Sequence, residues 1–230
     1  MAAETACPPQ GLRPAQAGIV LLGRPILGHA AITLVDLGAR GVLRITGVGD
    51  DAAVDWQLER AHSPRTAGDT ELLPYEDGLL GDLIKGDGTA LLSGLTGQLA
   101  PALKRFGRGL VHDAVRRGWL RHRHPGQRTA DGDRLVVAIR SFRTGLRQLK
   151  VRDGEDALAS QLPYALLFGL VSWDQLPQAR FAAAWIQACS SLPGWQHAEP
   201  KRPQPGEPDF TRDEWRGMGL AGAQAMLWNL

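Results

Sequence analysis

Apolar residues recur at intervals of three and four positions through most of this chain, which is the spacing of helices that bury one face. This spacing predicts helices over residues 14–22, 29–40, 75–84, 99–117 and 134–150. Two stretches, residues 42–46 and 54–60, instead alternate apolar and polar side chains with the two-residue period of a half-buried strand. The pattern therefore predicts a mostly helical α+β fold that contains one β-hairpin.

One pattern, a helix that ends at a glycine and is followed by a strand, occurs twice. Arg40-Gly41 ends the first copy and Arg117-Gly118 ends the second. A basic residue suits the helix C-terminus, and the glycine that follows it can adopt the left-handed conformation that ends the helix. The repeat predicts two winged-helix-like units in tandem. We place these units at residues 12–62 and 72–130, followed by a helical region at 134–192 and a tail with a short docking helix at 193–230.

Two further local features make structural predictions. Pro163 lies in the middle of an otherwise helical segment, residues 155–171, and is expected to kink or split it. Asp174 is expected to cap a last helix. Within the helix over residues 29–40, Asp36 and Arg40 are four positions apart, and we expect them to form an exposed ion pair.

Residues 47–52 match the G-x-G-x-x-A pattern of dinucleotide-binding loops. Such a loop must lead into a helix, because the helix N-terminus holds the pyrophosphate. Here the residues that follow are predicted to form a strand. We therefore exclude a nucleotide site at this position.

Composition indicates an ordinary soluble protein, with 43% hydrophobic and 22% charged residues among 230. The longest apolar run is about half of the ~20 residues that a membrane span needs, so a cytoplasmic protein without a membrane partner is expected. The cysteines, Cys7 and Cys189, are too far apart in the sequence to form a CxxC metal pair and are expected to be reduced.

The net charge of +2 conceals a strongly basic segment. Residues 102–152 contain fourteen Lys or Arg and three Asp, so this segment carries +11 and the rest of the chain −9. Such a block either meets an anionic partner or forms solvated helix faces. His122 and His124, in a predicted wing after the second glycine, would share one face of a strand, but no third metal ligand is close in the sequence. A solvated basic wing is therefore favoured over a metal site.

Four sequence segments carry a resemblance to a known family. They are Pro8-Pro9 with Leu-Arg-Pro-Ala-Gln-Ala-Gly at 12–18, Thr-Leu-Val-Asp-Leu-Gly-Ala-Arg-Gly at 33–41, Val-Arg-Arg-Gly-Trp at 115–119 and Leu-Pro-Tyr-Ala-Leu-Leu-Phe-Gly-Leu at 162–170. Over residues 8–187 the chain resembles the cytosolic C-terminal domain of a bacterial family of predicted membrane proteins, domain of unknown function family 2207. The resemblance implies tandem winged-helix-like units and a helical end, and it supplies no catalytic residues.

This chain departs from that family in two ways. Members of the family usually have membrane segments around this domain, which are not expected here, and two positions have gained histidine. His29 stands where an acidic helix-starting residue is expected, and His112 stands where a non-titrating or basic residue is usual. Histidine is the side chain that exchanges protons near neutral pH. The two histidines therefore suggest a copy of the domain that has been recruited as an enzyme.

The first functional hypothesis is a small enzyme of natural-product biosynthesis that acts on a small organic substrate. Dehydration, conjugate addition or cyclisation requires only proton transfers and a shaped apolar pocket, so no metal or organic cofactor is expected. The expected acid/base groups are His112, His29 and Tyr164. The expected substrate-binding residues are Arg108, Arg116, Trp119, Arg40 and Asp36.

The alternative hypothesis is a winged-helix-like module that binds nucleic acid or protein. Arg105, Arg108, His112 and Arg116 share one face of the helix over residues 99–117, and a winged helix often presents such a helix to DNA. Acidic residues in the first predicted hairpin, Asp50, Asp51 and Glu59, would repel a nucleic acid. The signatures of P-loop NTPases, zinc proteases and nucleophile-elbow hydrolases are absent from the sequence.

Overall fold

Seven α-helices and a small antiparallel sheet form the described part of the chain. The computed structural model describes residues 7–49, 54–61, 71–86, 88–122, 126–154, 156–171, 176–190 and 192. The helices are α1 Pro14–Leu22, α2 Leu27–Ala39, α3 Pro74–Leu83, α4 Thr96–Arg116, α5 Ala130–Asp153, α6 Leu162–Leu167 and α7 Pro177–Ser190. The strands are β1 Leu43–Val48, β2 Asp55–Arg60 and β3 Thr89–Leu91, and single 3-10 turns occupy Pro9–Gly11, Leu92–Leu95 and Asp156–Gln161. The expected mostly helical α+β class is confirmed.

Helices α1, α2 and α3 begin with the same device. In each, the side chain at the third helical position turns back and accepts a hydrogen bond from the backbone N–H that precedes the helix. Both α1 and α3 also have proline at their first position, where its missing N–H costs nothing. The three accepting side chains are Gln16, His29 and Glu76, at 2.9, 3.3 and 2.9 Å from the backbone nitrogens of Arg13, Ile26 and Leu73. All three are buried.

Helices α2 and α4 end in the same way, as the repeated sequence pattern predicts. Gly41 and Gly118 have φ of 74° and 76°, in the left-handed region. The N–H of Val42 donates to the carbonyl of Leu37, and the N–H of Trp119 donates to the carbonyl of Ala114, both at 2.9 Å. These are the bonds of the Schellman motif, which satisfies carbonyls at the helix end.

The three strands are ordered β1-β2-β3, and both pairings are antiparallel. Trp56 and Leu58 on β2 point into the core, whereas Asp55, Gln57 and Glu59 alternate with them on the outer face. Strand β2 is the first element that the structure describes after Gly49. Residues 54–61 contain strand β2, as the alternating pattern predicts.

One hydrophobic core connects the elements of both predicted units and the helical region. It includes Leu34 of α2, Leu58 of β2, Leu103 of α4 and Ile139 of α5. Pro163 stands at the start of α6, directly after the 3-10 turn, so the predicted helix is split as expected. Asp174 and residues 193–230, with the predicted docking helix, lie outside the described residues. None of the described helices is both long and apolar enough to cross a membrane.

Candidate functional site

A groove between α3 and α4 brings together three of the residues that the sequence singled out. His112, Arg108 and Arg116 project from the exposed side of α4 into a groove of about 490 Å³. They are spaced by four residues, so each lies about 6 Å along the helix from the next. The groove therefore holds one imidazole between two guanidinium groups.

The floor of this groove is apolar. Tyr75 and Leu79 of α3 meet Phe106 of α4, and the rings of Tyr75 and Phe106 pack edge to face with their centroids 5.7 Å apart. Gly78 and Gly109 also line the groove and place no side chain in it. Sequence reasoning missed Tyr75 and Gly78 as groove residues. A glycine within the predicted helix over residues 75–84 was the available signal, because it costs helix stability without an evident local reason.

Acidic side chains neutralise part of the positive charge of the groove. Arg105 Nε lies 2.7 Å from Asp82 Oδ2, and Arg116 Nη2 lies 3.3 Å from Asp113 Oδ1. Among the described residues, Arg108 has neither a hydrogen-bond partner nor an ion-pair partner. Arg108 is consequently the cation most accessible to a ligand in the groove.

Asp113 is adjacent to His112 in the sequence, but its carboxylate does not contact the imidazole of His112. The carboxylate of Asp113 is buried, whereas His112 is exposed. Its Oδ2 accepts a hydrogen bond from Gln16 Nε2 at 2.6 Å and pairs with Arg117 Nε at 3.0 Å. These contacts hold Asp113 on the inner side of α4, so it does not orient the imidazole of His112.

Asp36 and Arg40 form a buried ion pair, and the expectation of an exposed pair was wrong. Arg40 Nε lies 2.9 Å from Asp36 Oδ2, and its Nη2 lies 2.9 Å from Glu76 Oε1 of α3. Burial raises the pKa of Asp36 to about 6, against the attraction of Arg40. The polar face of α2 is covered by other elements of the fold, which periodicity alone cannot reveal.

Buried contacts of this kind join the two predicted winged-helix-like units in both directions. Gln16, at the third position of α1, binds Asp113 of α4, and Glu76, at the third position of α3, binds Arg40, the residue directly after α2. In each predicted unit, the side chain that caps the first helix thus contacts the Asp-x-x-x-Arg-Gly sequence that ends the second helix of the other unit. We call Gln16, Asp113, Arg40, Glu76 and Asp36 the buried polar cluster.

Two tyrosines lie close to this cluster. The hydroxyl of Tyr75 is buried without a hydrogen-bond partner among the described residues, and burial beside Glu76 raises its pKa well above the ordinary value. The hydroxyl of Tyr164 donates to the carbonyl of Leu12, and burial raises its pKa as well. Tyr164 is absent from the lining of the α3–α4 groove. Its hydroxyl is therefore engaged at a position separate from His112.

His29 is fully buried and also lies apart from the groove. Its Nδ1 accepts the hydrogen bond that begins α2, so the neutral ring carries its proton on Nε2. Nε2 lies against Gly18 of α1, where an added Cβ would be only 2.3 Å away. Desolvation lowers the pKa of His29 to about 3. The imidazole is thus a structural, neutral group at physiological pH.

The buried neutral His29 predicts a loss of stability in acid. The unfolded chain binds a proton at His29 below its ordinary pKa of 6.5 but the folded chain does so only near 3, so stability falls as pH decreases. At a pH of about 5 the loss relative to neutral pH is about 2 kcal/mol. Urea unfolding at both pH values measures this loss. The free energy of unfolding should fall more between neutral pH and about pH 5 in the wild type than in His29→Asn, whose amide oxygen can still accept the capping hydrogen bond.

The raised pKa of Asp36 acts with the opposite sign, because the folded chain then holds a proton that the unfolded chain releases. That contribution is common to both proteins and cancels in the comparison. Equal pH dependence of the wild type and His29→Asn would refute a buried neutral imidazole.

The remaining candidates lie at the end of α4. Trp119 is buried directly after Gly118, and the guanidinium of Arg117 lies over its ring at 5.3 Å. Trp119 does not line the groove. His122 is exposed, and His124 lies outside the described residues. Within the ranges that the structure describes, no three histidine, cysteine or acidic side chains are grouped so as to hold a metal ion.

The chain matches no protein-family model, no curated protein and no solved structure. The resemblance to the bacterial membrane-protein family therefore remains a prediction.

Proposed function

We propose that this protein is a cofactor-independent enzyme that uses His112 as a general acid/base on a small organic substrate in the α3–α4 groove. The observation that carries this proposal is the position of His112 between Arg108 and Arg116 above an apolar floor. An imidazole exchanges protons near neutral pH, and the arginines can hold a polar group of the substrate beside it. The groove itself falls within the usual size of small-molecule sites.

The chemistry that this arrangement suits is elimination of water, or the related conjugate addition and cyclisation. In a dehydration, His112 removes a proton from the carbon next to a carbonyl group. The electron pair of that C–H bond becomes a C=C bond, and the hydroxyl on the neighbouring carbon leaves. The proton on His112 passes to this leaving hydroxyl, so the products are the alkene and one water molecule, and the imidazole is again neutral.

Within this proposal the other predicted site residues divide into two groups. Arg108 and Arg116 line the groove, and Arg108 binds the charged group of the substrate. Asp36, Arg40, His29, Tyr164 and Trp119 hold the elements that carry the groove in place and do not contact substrate. We further propose that α1–β2 and α3–α4 are tandem winged-helix-like units, on the support of their matching helix starts and helix ends.

Solvent-deuterium exchange tests the proposal across a range of candidate substrates. The protein is incubated in D2O with a panel of β-hydroxy and β-keto carboxylates that carry aliphatic or aromatic tails, and NMR measures deuterium at the carbon between the two functional groups. We expect the wild type to accelerate exchange in at least one member and His112→Gln to lower that rate about a hundredfold. Exchange in no member of the panel, or equal rates in both proteins, would overturn the assignment.

Nucleic-acid binding is the second candidate, because Arg105, Arg108, His112 and Arg116 lie along one exposed face of α4. Phosphate contacts release counterions, so affinity for duplex DNA would fall steeply with salt. A salt titration with mixed-sequence duplex DNA compares the wild type, Arg108→Ala and His112→Ala. Measurable, salt-sensitive affinity that drops in Arg108→Ala would favour this function over the enzyme, whereas no binding at low salt would exclude it.

A further inference from the structure

We infer that the ligand of the α3–α4 groove is an organic monoanion, a single carboxylate on an apolar aliphatic or aromatic body. This inference rests on the proposed function only for its choice of site. It specifies the chemical class of the substrate, which the acid/base role of His112 leaves open.

Charge in the groove matches one negative group. The lining contains three arginines, Arg105, Arg108 and Arg116, and two aspartates, Asp82 and Asp113. The formal charges of these five side chains sum to +1. Two of the arginines already pair with the two aspartates, which leaves Arg108 to bind the anion. A guanidinium group can hold a carboxylate through two parallel N–H···O bonds.

A polyanion fits this groove less well than a monoanion. Asp82 lies at the rim beside Arg105, at 2.7 Å, and its carboxylate would face the second charged group of a longer anion. Releasing Arg105 to a phosphate would leave Asp82 without its ion-pair partner. The arrangement therefore discriminates against nucleic acids and diphosphates.

The rest of the groove suits an apolar body. Its floor is formed by Tyr75, Leu79 and Phe106, and Gly78 lines the same groove. A Cβ added at Gly78 would meet nothing within 4 Å, so the space beside this residue is open. A carboxylate on Arg108 would lie about one helical turn, ~6 Å, from His112. This separation places the carbons nearest the carboxylate beside the imidazole.

A displacement experiment tests the class of ligand. The fluorescent probe 8-anilinonaphthalene-1-sulfonate, an aromatic monoanion, is bound to the 230-residue chain and displaced by decanoate or by decanol. We expect decanoate to displace the probe at concentrations at least about tenfold lower than decanol, since a charge-assisted hydrogen bond contributes about that much. Arg108→Gln should remove this difference, and Gly78→Phe should fill the groove and prevent displaceable binding of the probe.

Two control variants match these changes outside the groove. Arg147→Gln removes an exposed arginine of α5, and Gly97→Phe adds a ring in the first turn of α4, where a Cβ also meets nothing within 4 Å. Both should bind probe and decanoate as the wild type does. Circular dichroism of each variant verifies that it is folded, and a second groove variant, Gly78→Leu, replaces Gly78→Phe if the latter fails to fold.

The outcomes separate this inference from the proposed function. Equal displacement by decanol and decanoate would overturn the monoanion, and unchanged binding in the Gly78 variants would overturn the site. Binding as expected together with no deuterium exchange would leave the ligand class standing and remove the catalytic role of His112. Deuterium exchange that is lost in His112→Gln but unchanged in Arg108→Gln would support the catalytic role of His112 and overturn the assignment of a carboxylate ligand on Arg108.

Discussion

Replacing Arg40 with methionine should lower the free energy of unfolding by about 3 to 5 kcal/mol, the usual cost of removing one partner from a buried ion pair. Arg40 contacts two carboxylates, Asp36 and Glu76, each at 2.9 Å. Both are buried. Methionine fills a similar volume but leaves Asp36 without its ion-pair partner, and it leaves Glu76 with only the more distant Arg13, at 3.9 Å. Urea unfolding followed by circular dichroism measures the loss.

Arg44→Met is the matched control. Arg44 also belongs to an ion pair, with Glu59 at 3.4 Å, but its side chain is 67% exposed. Exposed pairs contribute less than about 1 kcal/mol. Similar losses in Arg40→Met and Arg44→Met would show that the buried polar cluster does not depend on its central arginine.

Gly132→Ala should destabilise the protein by about 3 kcal/mol, at the upper end for overpacking. Gly132 lies in the first turn of α5, and an added Cβ would lie 2.2 Å from the backbone carbonyl oxygen of Trp119. That carbonyl accepts the N–H of Thr129, the residue that caps α5. Moving either backbone segment would break the hydrogen bond between Thr129 and Trp119, which joins the start of α5 to the end of α4. Thermal and urea unfolding would both report the change.

Gly78→Ala provides the comparison of opposite sign. Gly78 is exposed in the middle of α3, and its added methyl group meets no atom within 4 Å. Alanine favours a helix over glycine by up to about 1 kcal/mol, so this variant should be more stable than the wild type. If Gly132→Ala were as stable as Gly78→Ala, the close approach of α5 to Trp119 would have no energetic role.

Most helices could be predicted because their signals are local. The apolar spacing in α4 and α5, the glycine ends of α2 and α4, and the split at Pro163 each depend on residues within one or two turns. The three-stranded sheet was predicted only as a hairpin, since β3 pairs with β2 over only three residues. The pairing of β3 with β2 is a long-range contact, which the spacing of apolar residues along the sequence does not indicate.

The burial of polar residues could not be predicted in the same way. Asp36 and Arg40 follow the spacing of a solvent-facing pair, and only the presence of Glu76 from α3 explains why they are buried. Gln16 and Asp113 are 97 positions apart. The exposed side of α4 was predicted correctly, because a row of arginines on a helix is costly to bury. The α3 wall of the groove was missed, since it depends on how two helices pack.

The contacts of Gln16 with Asp113 and of Glu76 with Arg40 couple the unfolding of the two predicted units. If α3 and α4 detached as a unit, Arg40 would lose Glu76 and Gln16 would lose Asp113 in the same event. Partial opening would therefore break both exchanged contacts without gaining the entropy of a fully released chain. We expect helices α1, α2, α3 and α4 to behave as one cooperative unit, with amide hydrogens in α2 and α4 exchanging at the same global free energy.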